Sequence, residues 1–230
     1  ERIPIRGVRK HTADAMVRSA FTAPHAATFL TVDVTASVAF VAGLRADARY
    51  AEHRVGIMAV AAKAVCLALR RTPELNATWD DAAGEIVRFA KVNLGIAAAT
   101  ERGLVVPSVK DAGGMPLLEL SDAIRALAET ARAGKATPAD LSGGTFSVTN
   151  YGVFGVDAGT PILVPGEAGI LGLGAVQRRP WEHEGGVALR DVMTLSLSFD
   201  HRLVDGAEAA RFLTDVGDVL RDPARAMVFA

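Results

Sequence analysis

The residues most able to do chemistry stand together in SFDHRLVDGAEAARFL, Ser198 to Leu213. His201 follows an alternating, strand-like run, Asp205 stands four positions on, and Gly206 opens an amphipathic stretch. An imidazole held at a strand end can face a cleft and take a proton from a thiol or hydroxyl near neutral pH. An acidic residue four positions later can hold the intervening turn by a charge-assisted hydrogen bond. The same letters have a purely structural reading. Asp205 with Glu208 forms a capping-box-like helix start, Gly206 permits a tight strand-to-helix turn, His201 is a loop histidine, and Asp200 and Arg202 are solvated neighbours. The motif alone leaves both readings open.

These residues must be positioned by elements whose periodicity is visible in the chain. TFLTVDVT alternates Phe29, Thr31 and Asp33 against Leu30, Val32 and Val34, as a strand does. DVMTLSLSFD reads as a long strand, and residues 207–221 as the last helix, with Ala209, Phe212, Leu213, Val216 and Leu220 on its buried stripe. SVAFVAGLRADARYAEH and GIMAVAAKAVCLALRR carry helical spacing, the second closed by Pro73. LLELSDAIRALAETARAGK is a helix ended by Gly134, with Leu117, Leu120, Ile124, Leu127 and Ala131 on one face. An opening arm leads into a helix carrying Ala15, Met16 and Ser19, stopped near Pro24. EIVRFAKVNLGIAAAT and GLVVPSVKD read as strands around a turn at TERG; GTFSVTNYG and AGILGLGAV are further strands. Strands and helices mix without regular alternation, which predicts an α/β domain on a mixed β-sheet flanked by helices. The Gly- and Pro-rich stretch from Asn150 to Ala168 is long for a connection, and such loops tend to be functional or to contact another subunit.

Composition narrows the function. Half of the 230 residues are hydrophobic and the net charge is -1, so nothing suggests an electrostatic grip on nucleic acid or an anionic membrane. The single cysteine, Cys66, excludes an intramolecular disulfide and a multi-cysteine metal site, and reads as an inert core residue in a reducing compartment. The apolar run around it is interrupted by Lys63 and is too short to span a bilayer. There is no phosphate-binding loop, and no G-x-S-x-G elbow. GLGAVQ lacks the third glycine of a dinucleotide fingerprint. His183 and Glu184, in WEHEGG, read as a polar hairpin tip, and no metal is expected.

Five ordered segments carry a resemblance. RIPIRGVRKHTADAMVRSAFTAPH, GLVVPSVKD, LSGGTFSVTNYGVFG, TPILVPGEAGILGLGAV and SFDHRLVDGAEAARFL resemble, in that order, the signatures of the dihydrolipoyl acyltransferases. These form the catalytic cores of 2-oxo acid dehydrogenase complexes and are related in fold to chloramphenicol acetyltransferase. The match runs from Arg2 to about Pro223. A free-standing acetyltransferase shares the histidine motif, but RGVRKHTADAMVRS and GLVVPSVKD argue against one.

The resemblance implies a chloramphenicol-acetyltransferase-like, trimeric fold over residues 1–230, without lipoyl or subunit-binding domains in this chain. It implies that His201 deprotonates the thiol of coenzyme A or dihydrolipoamide, that Thr149 replaces the family's more usual serine as oxyanion donor, and that Asp205 supports the active-site loop. His201 of one subunit faces Thr149 of the next across a channel, entered by coenzyme A at one end and the lipoyl arm at the other. Asn150 orders the loop; Ser108 and Gly103 are the expected coenzyme A contacts. Val164 stands where asparagine is more usual, so the loop there must be held otherwise. Trimers of this kind assemble into 24-mers or larger shells through an apolar C-terminal segment, here AMVFA. The expected partners are a 2-oxo acid decarboxylase and dihydrolipoyl dehydrogenase, and the expected place is a bacterial cytoplasm. VTNYGVFGVDAGTPIL and GLGAVQRRPW are more similar to branched-chain acyltransferases than to acetyl- or succinyltransferases, so branched-chain acyl groups are expected, with an acetyl- or succinyltransferase, or a core scaffold of weak chemistry, as the alternatives.

Overall fold

The computed structural model describes residues 1–100 and 103–229. Six helices and eleven strands occur in them. The chain begins α1 (Gly7–Thr22), β1 (His25–Asp33), α2 (Thr35–Ala46) and α3 (Ile57–Arg71), then β2 (Ala77–Asp80) and β3 (Glu85–Arg88). Four short strands follow: β4 (Leu94–Ile96), β5 (Ala98–Thr100), β6 (Gly103–Val105) and β7 (Ser108–Val109). After α4 (Leu117–Arg132) come β8 (Phe146–Asn150), β9 (Gly169–Leu173), β10 (Gln177–His183), β11 (Gly186–Asp200), α5 (Gly206–Arg221) and α6 (Ala226–Phe229).

The main sheet has the order β1-β11-β9-β8-β4-β7, with β10 pairing β11 beyond its edge partner. β8 runs parallel to both β4 and β9, and the other pairs are antiparallel. The expected mixed sheet is what forms. Alternation decides which side is buried. Leu195, Leu197 and Phe199 of β11, with Phe146 and Val148 of β8, face a core closed by Val65 and Leu69 of α3, and by Phe212, Val216 and Leu220 of α5. Each such side chain contributes about 1.5–3 kcal/mol. The Phe146 and Phe212 rings meet at 5.3 Å between centroids. Lys63 is accommodated because its ammonium reaches the Met115 carbonyl, 2.8 Å away.

The other side of β11 carries Thr194, Ser196 and Ser198, a polar stripe that no helical core could accept. It is partly covered by the 152–168 segment. Phe21, Phe29, Val153 and Phe154 stay exposed.

Four local expectations need correction. α2 ends at Ala46 rather than continuing to His53, because Asp47 turns back on the Arg49 N–H and offers a local alternative to the helix. The two long strands expected across 85–111 are five short ones. Pro107 has no N–H to continue a ladder, and β3 pairs only with β2, through a turn in which Gly84 has φ +68°. The TERG turn lies partly outside the described residues. QRRPWEH, not expected as a strand, pairs with β11 along its whole length. Finally, α5 begins at Gly206 but without the anticipated side-chain cap at Asp205.

Candidate active site

His201 leaves the end of β11 on a rigid frame. Its backbone N–H donates to the Pro24 carbonyl at 2.9 Å, and its ring tilts against Phe199 at 5.6 Å. The frame itself is a buried ion pair. Asp200, 3% exposed, accepts from Arg202 at Oδ1 (Nε, 3.0 Å) and Oδ2 (Nη2, 2.6 Å), and also from the Arg202 backbone N–H. The pairing raises the pKa of the guanidinium above its ordinary value, and the Trp79 ring stacks 4.9 Å from it. Asp200 and Arg202 are therefore not solvated neighbours: a two-residue fork locks the turn either side of His201.

The His201 side chain is left half exposed, with Nδ1 3.7 Å from Asp205 Oδ1. That distance is an ion-pair contact, not a hydrogen bond. Asp205 has the extended backbone of an N-cap, but its carboxylate points at the histidine instead of the helix N–H groups, and Glu208 pairs with Arg211. The capping-box reading fails for this reason.

The segment beneath is held although Val164 offers no polar side chain. The Val164 carbonyl accepts the Glu167 N–H at 3.0 Å, with Pro165 and Gly166 (φ +89°) between them. That is the chemistry of a type II turn. Leu163 is pinned on both sides: its N–H donates to His25 Nε2 at 3.0 Å and its carbonyl accepts from Ser19 Oγ at 2.7 Å. His25 Nδ1 donates to the Ala23 carbonyl at 2.7 Å, which fixes this tautomer.

Thr149 sits near the C-terminal end of β8, partly exposed, in register with Gly172 of β9, which pairs in turn with Ser196 of β11. His201 stands five residues further along β11 than Ser196, two strands away from Thr149. At ~3.3 Å per residue and ~4.8 Å per strand, their backbones are on the order of 20 Å apart within one chain. A single chain does not bring His201 and the Thr149 hydroxyl together.

Glu167, 6% exposed, lies near the Asp200–Arg202 turn, against Gly144 ahead of β8. Burial pushes its carboxyl up to about 8, partly offset by the Ser147 hydroxyl, and its Oε2 has no hydrogen-bond partner. Ser108 is 4% exposed; its hydroxyl accepts from Lys110 Nζ at 2.6 Å. It lies in a groove of about 480 Å³ lined also by Lys110, Met115, Leu127, Thr130 and Asp140. Lys110, which also donates to the Ser142 carbonyl, is the exposed member of this pair. Gly103 opens β6 at φ +123°, a conformation that explains its glycine structurally. Asn150 ends β8 opposite Leu173. Burial pushes the Cys66 thiol up to about 12, which leaves it unreactive. His183 and Glu184 form the β10–β11 hairpin tip, where Glu184 and Gly185 both have positive φ. At the C-terminus, Met227 and Val228 are exposed beside an apolar cleft of about 390 Å³ lined by Phe40, Val60, Leu117 and Val219.

Sequence reasoning missed four contributors: the Asp200–Arg202 fork, the His25 pin, Glu167 and Tyr151. Asp and Arg two apart around a histidine was the available signal for the first. The others depend on partners far away in sequence.

The family model for 2-oxoacid dehydrogenases acyltransferase (catalytic domain) matches residues 1–228. A dihydrolipoyllysine-residue succinyltransferase component of the 2-oxoglutarate dehydrogenase complex from Bartonella vinsonii is 41% identical over 98% of this chain and 54% of its own. A dihydrolipoyllysine-residue acetyltransferase component of the Bacillus subtilis pyruvate dehydrogenase complex is 39% identical over 94% of this chain and 49% of its own. The chain thus spans about half the length of these curated relatives. Among solved structures, the Azotobacter vinelandii dihydrolipoamide acetyltransferase, studied for a serine, a histidine and an asparagine in its catalytic mechanism, superposes with TM-score 0.93. It is 30% identical, over 99% of this chain and 93% of that one. The cubic core of a pyruvate dehydrogenase multienzyme complex gives the same TM-score, identity and coverage. Chloramphenicol acetyltransferase, 16% identical over 96% of this chain and 99% of that one, shares the fold with TM-score 0.54.

Proposed function

The chain belongs to the 2-oxoacid dehydrogenase acyltransferase family, and from that premise we propose that it transfers acyl groups between dihydrolipoyl-lysine and coenzyme A. The observation carrying this reading is the His201 corner: a half-exposed imidazole on a backbone locked by the Asp200–Arg202 fork. In the Azotobacter relative, the serine and asparagine precede and follow the histidine by the same intervals as Thr149 and Asp205 about His201.

His201 takes the proton of the coenzyme A thiol, whose ordinary pKa of roughly 8.5 suits a base active near neutrality. The thiolate attacks the acyl thioester carbonyl. Thr149 donates its hydroxyl to the oxyanion, and collapse expels the dihydrolipoyl sulfur, which recovers the proton from His201. Asp205 steadies the imidazole. Because His201 and Thr149 stand on the order of 20 Å apart in one chain, a second copy supplies the threonine. Exposed Phe21, Phe29, Val153 and Phe154 support subunit contacts consistent with a homotrimer. The cubic core of the similar complex supports assembly beyond it, with Met227 and Val228 as the apolar tail. Coenzyme A enters past Lys110 and the Ser108 groove, and the lipoyl arm from the opposite end. The complex's decarboxylase and dihydrolipoyl dehydrogenase are the partners.

The named relatives are succinyl- and acetyltransferases, which supports those acyl groups over the branched-chain one expected from VTNYGVFGVDAGTPIL. Initial rates with free dihydrolipoamide and acetyl-, succinyl-, isobutyryl- or isovaleryl-coenzyme A test both parts. Acetyl or succinyl transfer is expected to have the highest kcat/KM. Preference for a branched donor overturns the acyl reading, and no transfer from any donor overturns the function.

A further inference from the structure

The polar side of the sheet contains a clamp that the transfer reaction, as described, does not use. Tyr151 is the first residue after β8, two positions beyond Thr149. Its hydroxyl donates to Ser196 Oγ of β11 at 2.7 Å and accepts the Gly159 N–H at 3.0 Å. Ser196 is fully buried. One phenol therefore ties together the end of β8, the third strand along, and the middle of the long loop.

Glycines make that tie possible. A Cβ on Gly172, the ladder partner of Thr149, would meet the Tyr151 ring and hydroxyl. Another on Gly174 would strike the Asp157 carbonyl, and one on Gly152 the Gly174 backbone. The Ala175 N–H donates to the Val156 carbonyl at 2.9 Å, and Arg179 pairs with Asp157 at 2.8 Å. The loop thus lies directly on the β9–β10 junction, with the phenol across the ladder position paired to Thr149.

We infer that Tyr151 is a positioning residue for acyl transfer: its hydrogen bonds to Ser196 and Gly159 fix the strand end from which Thr149 presents its hydroxyl. This rests on Thr149 being the oxyanion donor. A donor must be held where the oxyanion will develop, so a loosened strand end weakens transition-state stabilisation more than substrate binding. Tyr151 touches no reacting atom in this role. Its effect passes through Thr149.

A double-mutant cycle on the full chain, with dihydrolipoamide and acetyl- or succinyl-coenzyme A, tests it. Tyr151→Phe is expected to lower kcat by about fivefold, as the loss of a hydrogen bond of about 1 kcal/mol allows, with KM nearly unchanged. In the Thr149→Ala background the same change is expected to cost almost nothing further. Ser196→Ala, which removes the acceptor and keeps the phenol, is expected to follow the same pattern if Tyr151→Phe folds poorly. Equal losses in both backgrounds, or a loss confined to KM, overturn the positioning role. An unaltered kcat in Thr149→Ala alone overturns the oxyanion assignment instead.

Discussion

The two ends of the polar sheet surface are built on opposite plans. At the His201 corner the backbone is rigid and the reactive side chain is loose. The Asp200–Arg202 fork and the Pro24 carbonyl hold the turn, while the imidazole is half exposed and Asp205, 82% exposed, stands 3.7 Å off. At the Thr149 corner the side chain sits on a ladder, and its surroundings are dense with glycine contacts and a clamped tyrosine. A general base must change hydrogen-bond partners as it takes and returns a proton, so it gains from a free ring on a fixed stem. An oxyanion donor acts only if it is already in place, so it gains from rigidity.

Removing the base tests the first plan most severely. His201→Ala is expected to lower kcat by about 10²–10⁴-fold, the usual contribution of a positioned general base, while leaving the thermal midpoint close to wild type. Rates within tenfold of wild type would move the proton transfer to another group.

Thr149→Ala is expected to cost about 10²-fold in kcat with little change in KM. The separation of the two corners sharpens this. Neither inactive variant completes a site alone, but co-assembled His201→Ala and Thr149→Ala chains are expected to regain activity, because some interfaces pair an intact histidine with an intact threonine. No recovery in verified mixed oligomers would place both groups in one subunit's site.

Two carboxyls on the His201 side, one buried and one exposed, carry further tests. In the unfolded chain Glu167 ionises near 4.5; in the fold it keeps its proton to about 8. Across that window only the unfolded state sheds the proton, so stability falls as pH rises from about 4.5 to 8. Glu167→Gln, neutral throughout, is expected to remove that slope and to be more stable than wild type by a few kcal/mol near pH 8. Urea unfolding midpoints at the two ends of the window measure it, and parallel pH profiles for both proteins would rule it out.

The smallest effect is expected at Asp205. An exposed ion pair contributes about 0.2–1 kcal/mol, so Asp205→Ala is expected to lower kcat less than about fivefold, and Asp205→Asn less again. A hundredfold loss would show that the contact at 3.7 Å tightens when substrate binds.

Much of the architecture was legible because it depends on local periodicity. The stripe of Phe212, Val216 and Leu220 marks α5, and the alternation of Leu195, Leu197 and Phe199 marks the buried face of β11, whatever they pack against. The ordered signatures likewise pointed to His201, Asp205 and Thr149. What periodicity cannot carry is partnership at a distance. QRRPWEH has no strand-like alternation and became β10 because β11 offered it an edge. Asp205 has the letters of a cap, yet its carboxylate turns to His201. His25 became a pin for Leu163, 138 residues away, and Tyr151 a clamp on Ser196.

By itself the sequence determined the family and the mixed α/β layering, since ordered signatures and short-range periodicity are enough for those, and through that resemblance it pointed to His201 as the base. The tertiary structure alone decided that His201 and Thr149 lie on the order of 20 Å apart in one chain, for that follows from strand order and register. It also decided how the loop stands although Val164 offers no polar side chain. A Pro-Gly turn closes it there, and two side chains reached through folding, His25 and Ser19, take up the backbone groups of Leu163. Buried polar groups must find partners, and only the packed chain determines which are within reach.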